Sequence, residues 1–225
     1  MIKRNYFLII GLICSIFSSC DGIFEDIYDK PTNKYEIGFN NVDSLYNTGT
    51  IYIDASDYMN WIYIDLHNKV VDTVYIDTTC VAPVPNEPQN WDIGIHRYDV
   101  KTNKGMALET KSSDIISSAF ITTLPKGEFV KDNENDSVTV DMSRMVEGII
   151  KKVPSDVNRT ISSWLSLDLS TMPPIYKLSN KVYIVKMKDD TYAALQLKNY
   201  MSPAGTKGYM TIDYVYPLNI INDSK

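Results

Sequence analysis

This chain has nine methionines but only three cysteines and two histidines. One of the methionines, Met172, stands in the stretch STMPPIYKLSN, immediately before two prolines. Because proline cannot continue a helix or donate a hydrogen bond to a sheet, Met172 is predicted to lie in a loop with a stiffened backbone. Its flexible thioether could fill a gap in the core or contact a ligand.

Cysteine and histidine are too scarce for several common sites. Cys14 and Cys20 belong to the N-terminal segment and Cys80 stands alone, which excludes a disulfide framework and a thiolate-rich metal site. Two histidines, His67 and His96, poorly support a zinc site, which takes three or four ligands. The chain has no G-x-S-x-G motif, Cys–His signature, P-loop or Rossmann glycine pattern. We therefore do not expect an enzyme.

The N-terminal segment has the order of features of a secretory signal. Lys3 and Arg4 precede an apolar run, YFLIIGLICSIF, that is too short to span a bilayer. Small residues then lead to Cys20, as in the lipobox of bacterial lipoproteins. The alternatives are a plain signal peptide or an anchor helix, but the acidic stretch DGIFEDIYD follows directly and would stop a membrane span. Residues 1–19 are predicted to be a lipoprotein signal peptide, with Cys20 lipidated.

The remaining chain is predicted to contain a tether and one domain. Residues 20–48 are polar and are predicted to be a flexible tether, and residues 49–225 are predicted to form a single domain. The net charge of −6, without any basic run, argues against nucleic acid as a partner. Attachment to the membrane is expected through the lipid alone.

Sixteen tyrosines and many β-branched residues favour strands. Period-two alternation begins at Thr50, and Asn68 and Lys69 suit a hairpin turn. Further strands are predicted near residues 105–110, 118–123, 127–131, 137–140, 181–187, 191–197 and 208–216. The predicted fold class is mainly β and antiparallel, with one or two short helices.

One segment, DMSRMVEGIIKKV, departs from the β pattern. Its apolar residues recur at the spacing of an amphipathic helix, which is predicted to begin at Asp141 and to end at Pro154. Met142 and Met145 lie on its apolar stripe. A second short helix is predicted to begin at Ser155; alternatively, the stretch TISSWLSLDL is extended.

Four stretches together resemble the HmuY family of haem-binding lipoproteins from Porphyromonas, Bacteroides and their relatives. They are IDASDYMNWIY, NWDIGIHRYDVKTN, YKLSNKVYIVK and DYVYP, in family order and at family-like spacing between residues 50 and 217. The resemblance implies a mostly β fold that holds haem between two axial ligands. It also implies capture of haem outside the cell, from sources such as host haem proteins, and transfer to a TonB-dependent outer-membrane receptor. The protein would be a lipid-anchored outer-membrane hemophore at the cell surface, or a form shed from it.

The founding member of the family ligates haem iron with two histidines, and this chain departs from that pattern. His96 lies in the framework motif WDIGIHRYD, where the family keeps a structural histidine, and His67 is expected in a solvent-facing hairpin. Aligned without gaps, the founding member's second histidine falls on Leu169, which cannot bind iron.

Methionine sulfur is an established axial ligand of haem, and the resemblance implies a methionine pair here. Met145 and Met172 are the predicted axial ligands, with Met142 as the alternative to Met145. Methionine more often packs in the core of a protein than it binds a ligand, and core packing is expected for the remaining methionines. The alternative function is a surface lipoprotein that binds a glycan or a protein partner without haem.

Overall fold

In a computed structural model of the protein, residues 35–76, 86–115, 120–121, 123–168, 170 and 174–220 are described. Cys20, Cys80, Leu169 and Met172 lie outside the described residues, as does the predicted signal peptide. Among the described residues, no helix has the length and apolar character needed to cross a bilayer. The predicted fold class is confirmed, because strands dominate and the described part of the chain has only two short helical segments.

The largest element is a seven-stranded antiparallel sheet. Its strands, from edge to edge, are β1 (Gly38–Asp43), β2 (Thr48–Asp54), β16 (Lys207–Val215), β15 (Tyr192–Met201), β14 (Tyr183–Lys186), β7 (Met106–Glu109) and β9 (Val130–Lys131). A second, four-stranded antiparallel sheet has the order β4 (Val70–Tyr75), β3 (Asn60–Asp65), β5 (Ile93–His96) and β6 (Asp99–Thr102). As predicted, Asn68 and Lys69 lie in the turn between β3 and β4.

Three strand pairs complete the fold. Two are antiparallel hairpins: the first hairpin consists of β10 (Asn133–Asp141) and β11 (Lys151–Val157), and the second of β12 (Leu165–Asp168) and β13 (Ile175–Leu178). The third pair, β8 (Phe120–Ile121) and β17 (Asn219–Ile220), is parallel. The helical segments are a 3-10 turn at Met145–Glu147 and the short helix α1 at Arg159–Ser162.

Strand β3 positions the first hairpin, because both of its faces are buried. Ile62 and Ile64 point to one side and join the main core between the two large sheets. Trp61 and Tyr63 point to the other side, where they pack against valines of the first hairpin. These valines are Val138, Val140, Val153 and Val157, all at most 5% exposed.

The helix predicted from Asp141 to Pro154 is wrong. The segment is instead the distal half of the first hairpin, with the 3-10 turn at its tip and a left-handed residue, Gly148, at φ 78°. The helical spacing of the apolar residues misled the prediction, because Val153 is buried by a strand contact whereas Val146 is 98% exposed. Long-range packing against β3 outweighs the local helical pattern.

Ordered structure begins before residue 49, the predicted start of the domain. Strand β1 lies inside the predicted tether, and its residues Gly38 and Asn40 pair with Tyr52 and Thr50 of β2. Its polar composition hid it from the sequence pattern, since an edge strand exposed to solvent needs few apolar residues. The main sheet therefore includes part of the range predicted to be a tether.

Candidate functional site

A cavity of about 860 Å³ lies between the two hairpins, within the size range of small-molecule sites. Its walls come from the first hairpin (Thr139, Met142, Met145, Ile150, Lys152), the second hairpin (Leu165, Leu167, Pro174, Tyr176), α1 and its end (Arg159, Ser162, Ser163), and the region of β5 and β6 (Tyr58, His96, Arg97, Tyr98, Asp99).

The two hairpins are consecutive in the chain and are joined through α1, which fixes their spacing. Asn158, which is fully buried, caps this helix: its side-chain oxygen accepts a hydrogen bond from the amide of Ile161 at 3.2 Å. Its side-chain nitrogen donates to the carbonyl of Val130 at 2.8 Å and to Asp132 at 3.0 Å. One asparagine thus ties the connection between the hairpins to the segment at 130–132.

The structure brings Met142 and Met145 to one wall of the cavity. Met145 lies in the 3-10 turn at the tip of the first hairpin and is 38% exposed, so its sulfur is not committed to core packing. Met172 lies outside the described residues. In the sequence it falls between Asp168 and Ile175, the last residue pair of the second hairpin, and two lining residues, Leu167 and Pro174, flank it.

The base of the cavity contains an arginine held between two aromatic rings. The Arg97 guanidinium carbon lies 4.3 Å from the ring centre of Tyr58 and 5.1 Å from that of Tyr98. Its Nη1 donates to the carbonyl oxygens of Ala55, at 3.3 Å, and Ser56. This arrangement holds a positive charge in place without a carboxylate hydrogen bond among the described residues.

The lining of the cavity is more positive than the rest of the chain. Three cations, Arg97, Lys152 and Arg159, face one carboxylate, that of Asp99. Arg159 donates to Asp99 at 2.8 Å and to Asp136 through two nitrogens at 2.5 and 2.6 Å. Burial raises the pKa of Asp99, and the nearby Arg159 charge opposes that shift. A cavity with this charge, in a chain of net charge −6, favours an anionic ligand.

His96 lines the cavity but is 1% exposed, and its Nε2 lies 2.7 Å from the carbonyl oxygen of Tyr58. Nε2 must donate in this contact, because a carbonyl can only accept. Burial lowers the pKa of His96 to about 4, so the ring is neutral at pH 7. Its ring also packs against Trp61 at 5.3 Å. These contacts support the structural role expected from the sequence.

His67 lies outside the cavity. Its side chain is exposed to solvent, as expected from the sequence, but both ring nitrogens also have carboxylate partners. Its ring is 41% exposed, with Nδ1 3.0 Å from Asp92 and Nε2 2.9 Å from Asp189. Partial burial acts to lower the pKa of His67, but the hydrogen bonds to Asp189 and Asp92 outweigh it and the pKa is raised. Asp65, His67 and Asp92 also offer metal-ligating atoms within 4.8 Å, although both ring nitrogens already have carboxylate partners.

The cavity thus combines thioethers on one wall, apolar and aromatic surface, and a net positive charge. A soft neutral sulfur is a ligand for electron-rich metal centres, and the cations suit carboxylate groups of a ligand. The charge of the lining could not be recognised in the sequence, because no local motif joins Arg97, Lys152 and Arg159.

Comparison with known proteins gives a family match over most of the domain. The profile of the family described as HmuY protein matches residues 57–214. No protein with curated annotation matches the chain.

Several solved structures are similar. A Bacteroides vulgatus protein, provisionally described as HmuY-like and haem-binding, is 46% identical with a TM-score of 0.75, over 82% of this chain and 100% of the other. A Bacteroides fragilis protein, provisionally described as a lipoprotein, is 43% identical with a TM-score of 0.75, over 84% of this chain and 100% of the other. The apo form of a Tannerella forsythia HmuY analogue is 25% identical with a TM-score of 0.59, over 78% and 97%.

Proposed function

The chain belongs to the HmuY family, and from this we propose that it binds haem in the cavity between its two hairpins. The observation that supports the proposal most is the cavity itself, about 860 Å³ in volume, with a net positive lining and methionines on one wall. Haem is a flat apolar ring with two carboxylates and an iron, and each of these parts has a matching group in the lining. The Bacteroides vulgatus relative, described as haem-binding, supports the same conclusion.

We further propose that the axial ligands are the sulfurs of Met145 and Met172. Met145 is supported by its place in the cavity wall and by its partial exposure. Met172 is supported by its sequence position in the connection between β12 and β13, whose neighbouring residues line the opposite wall. Met142 also lines the cavity and stays the alternative to Met145. Neither histidine competes well, because His96 is only 1% exposed with its ring packed against Trp61, and His67 lies outside the cavity.

The haem-loaded protein would catalyse no reaction and would act as a carrier of haem. A thioether is neutral and soft, so a methionine pair favours ferrous over ferric iron and raises the reduction potential of the haem. Lys152 and Arg97 are the cations available to the carboxylates of haem, since Arg159 is already paired with Asp99 and Asp136. The apolar side chains of Ile150 and Leu167 are available to cover its ring.

We place the protein at the cell surface, attached to the outer membrane through lipid on Cys20. The acyl chains would hold it there, with the segment before β1 as a tether. The likeness to a Bacteroides fragilis protein assigned as a lipoprotein supports this placement. Haem captured from outside, for example from host haem proteins, would then pass to a TonB-dependent receptor in the same membrane.

Titration of the purified protein with haem, with and without dithionite, tests the proposal. We expect a shifted Soret band with sharp visible bands, and tighter binding of ferrous than of ferric haem. Leu167→Glu, which puts a carboxylate on the cavity wall, should weaken binding, whereas Val146→Glu at the exposed tip of the first hairpin should not.

Absence of a Soret shift would refute haem binding and favour the glycan- or protein-binding alternative. Equal affinity for both oxidation states would leave haem binding intact but would count against a pair of thioethers.

A further inference from the structure

The second hairpin has little support from the sheets. Within the described residues, β12 and β13 pair only with each other, and an isolated two-stranded hairpin is marginally stable in water. Its base is fixed by the buried Trp164 and Leu165 and by the amide of Ser179, which donates to the carbonyl of Trp164 at 2.9 Å. Toward its other end, Leu167 is 42% exposed and Ile175 is 54% exposed.

Tyr176 is the residue that connects this outer part of the hairpin to the body of the domain. Its ring stacks on that of Tyr200 in β15, at 5.2 Å and 14°. It meets the ring of Tyr98, beside the cavity base, edge to face at 5.5 Å and 74°. The Nζ of Lys207 in β16 lies 4.1 Å from the centre of the Tyr176 ring. One side chain therefore contacts three separate elements.

These contacts have a direct relation to the cavity. Tyr176 and Tyr98 line it, and Tyr176 pairs with Leu167, another lining residue, across the hairpin ladder. Tyr200 and Lys207 support the Tyr176 ring from outside the set of lining residues. The position of the cavity wall therefore depends on a stack whose outer members, Tyr200 and Lys207, do not line the cavity.

We propose that Tyr176 is a positioning residue, which holds the second hairpin against the cavity through Tyr200, Tyr98 and Lys207 and thereby sets how long haem stays bound. The effect on haem retention rests on the proposed function, whereas the effect on the position of the hairpin does not. An aromatic pair and a cation over a ring can each change a local opening equilibrium by up to about tenfold.

Tyr200→Ala tests this role, because it removes the stack without removing a lining side chain. In haem-free protein, we expect hydrogen exchange of the amides in 165–168 and 175–178 to accelerate about tenfold. The amides of β3 should exchange as in the unmodified protein and serve as the internal reference. In the haem-loaded protein, haem should dissociate about tenfold faster. The visible spectrum should be unchanged, because the axial ligands stay the same.

A matched variant sharpens the comparison. Tyr209→Ala removes a ring from another stacked pair on the same sheet, Tyr52 and Tyr209 at 6.0 Å, whose ring pairs among the described residues do not include the second hairpin. It should leave the exchange of the hairpin and the dissociation of haem unchanged. If Tyr200→Ala does not fold, Lys207→Gln should accelerate both processes in the same direction.

Unchanged hairpin exchange in Tyr200→Ala, or equal acceleration in Tyr209→Ala, would overturn the positioning role. Faster exchange in a protein that shows no haem binding at all would support that role and refute the proposed function instead. Faster exchange with unchanged haem dissociation would overturn the link between the hairpin and haem retention.

Discussion

At the scale of single residues, the environment of each methionine distinguishes packing from a candidate ligand. Met187, Met201 and Met210 are at most 4% exposed, and Met187 and Met210 belong to the main core cluster, which confirms the packing predicted for them. Met145 is 38% exposed and lines the cavity. The same thioether thus fills the core at some positions and is available to a ligand at another.

His67 gives a prediction for the pH dependence of stability. Neutral imidazole has one N–H, so only the charged ring can donate to both Asp92 and Asp189. Because the folded-state pKa of His67 is raised, its stabilising effect should be complete below about pH 6.5 and lost as the pH rises through the folded-state value. The effect should not exceed about 1 kcal/mol, since the site is partly exposed.

Urea unfolding of the unmodified protein and of His67→Gln, between about pH 5.5 and pH 8.5, checks this sign. We expect the two proteins to differ most at the acidic end and to converge at the alkaline end. A difference that grows with pH would contradict the assignment of the charged ring to the folded state.

At the scale of elements, the sequence predicted the strands well and the first hairpin poorly. The strands near 105–110, 181–187, 191–197 and 208–216 all correspond to observed strands, because their apolar residues alternate within one segment. The predicted helix failed because the residues that bury Val153 are Trp61 and Tyr63, far away in the chain. The carboxylate partners of His67 could not be predicted for the same reason, since they lie 25 and 122 residues away.

Asn158→Ala tests the connection between the hairpins. The change removes a helix cap and the side-chain donor to the carbonyl of Val130. It also removes one donor to Asp132, which keeps two hydrogen bonds from Thr102. We expect a loss of about 2–4 kcal/mol in the free energy of unfolding, measured by urea denaturation. Asn133→Ala is the matched control: this exposed asparagine accepts a bond from the amide of Asn135, and its loss should cost less than about 1 kcal/mol. Equal costs would contradict the role of Asn158.

At the scale of the whole molecule, an acidic protein encloses a cavity with a positive lining. The HmuY family and the mainly β fold could be recognised from four sequence stretches, and the comparisons confirm both. The charge of the cavity could not be predicted, because it arises only when the first hairpin, α1 and the turn after β5 come together. The position of β1 could not be predicted either, since its pairing with β2 does not depend on apolar side chains.

The lining charge predicts a difference between two adjacent lysines. Lys152 lines the cavity, whereas its neighbour Lys151 does not, because successive strand residues point to opposite faces. Lys152→Glu should weaken haem binding about tenfold by repelling the carboxylates of haem, and added salt should reduce the effect. Lys151→Glu changes the net charge equally and should bind as the unmodified protein does. Equal weakening in both variants, measured by haem titration, would mean that only the overall charge matters.

The most direct test of the account is the spectrum of the haem-loaded protein after each methionine is changed. For the unmodified protein we predict a low-spin, six-coordinate complex whose magnetic circular dichroism shows two sulfur ligands. Met145→Ala and Met172→Ala should each lose the six-coordinate spectrum, whereas Met142→Ala should keep it. Retention of that spectrum in Met145→Ala or Met172→Ala, or its loss in Met142→Ala, would contradict the assignment of the two axial ligands.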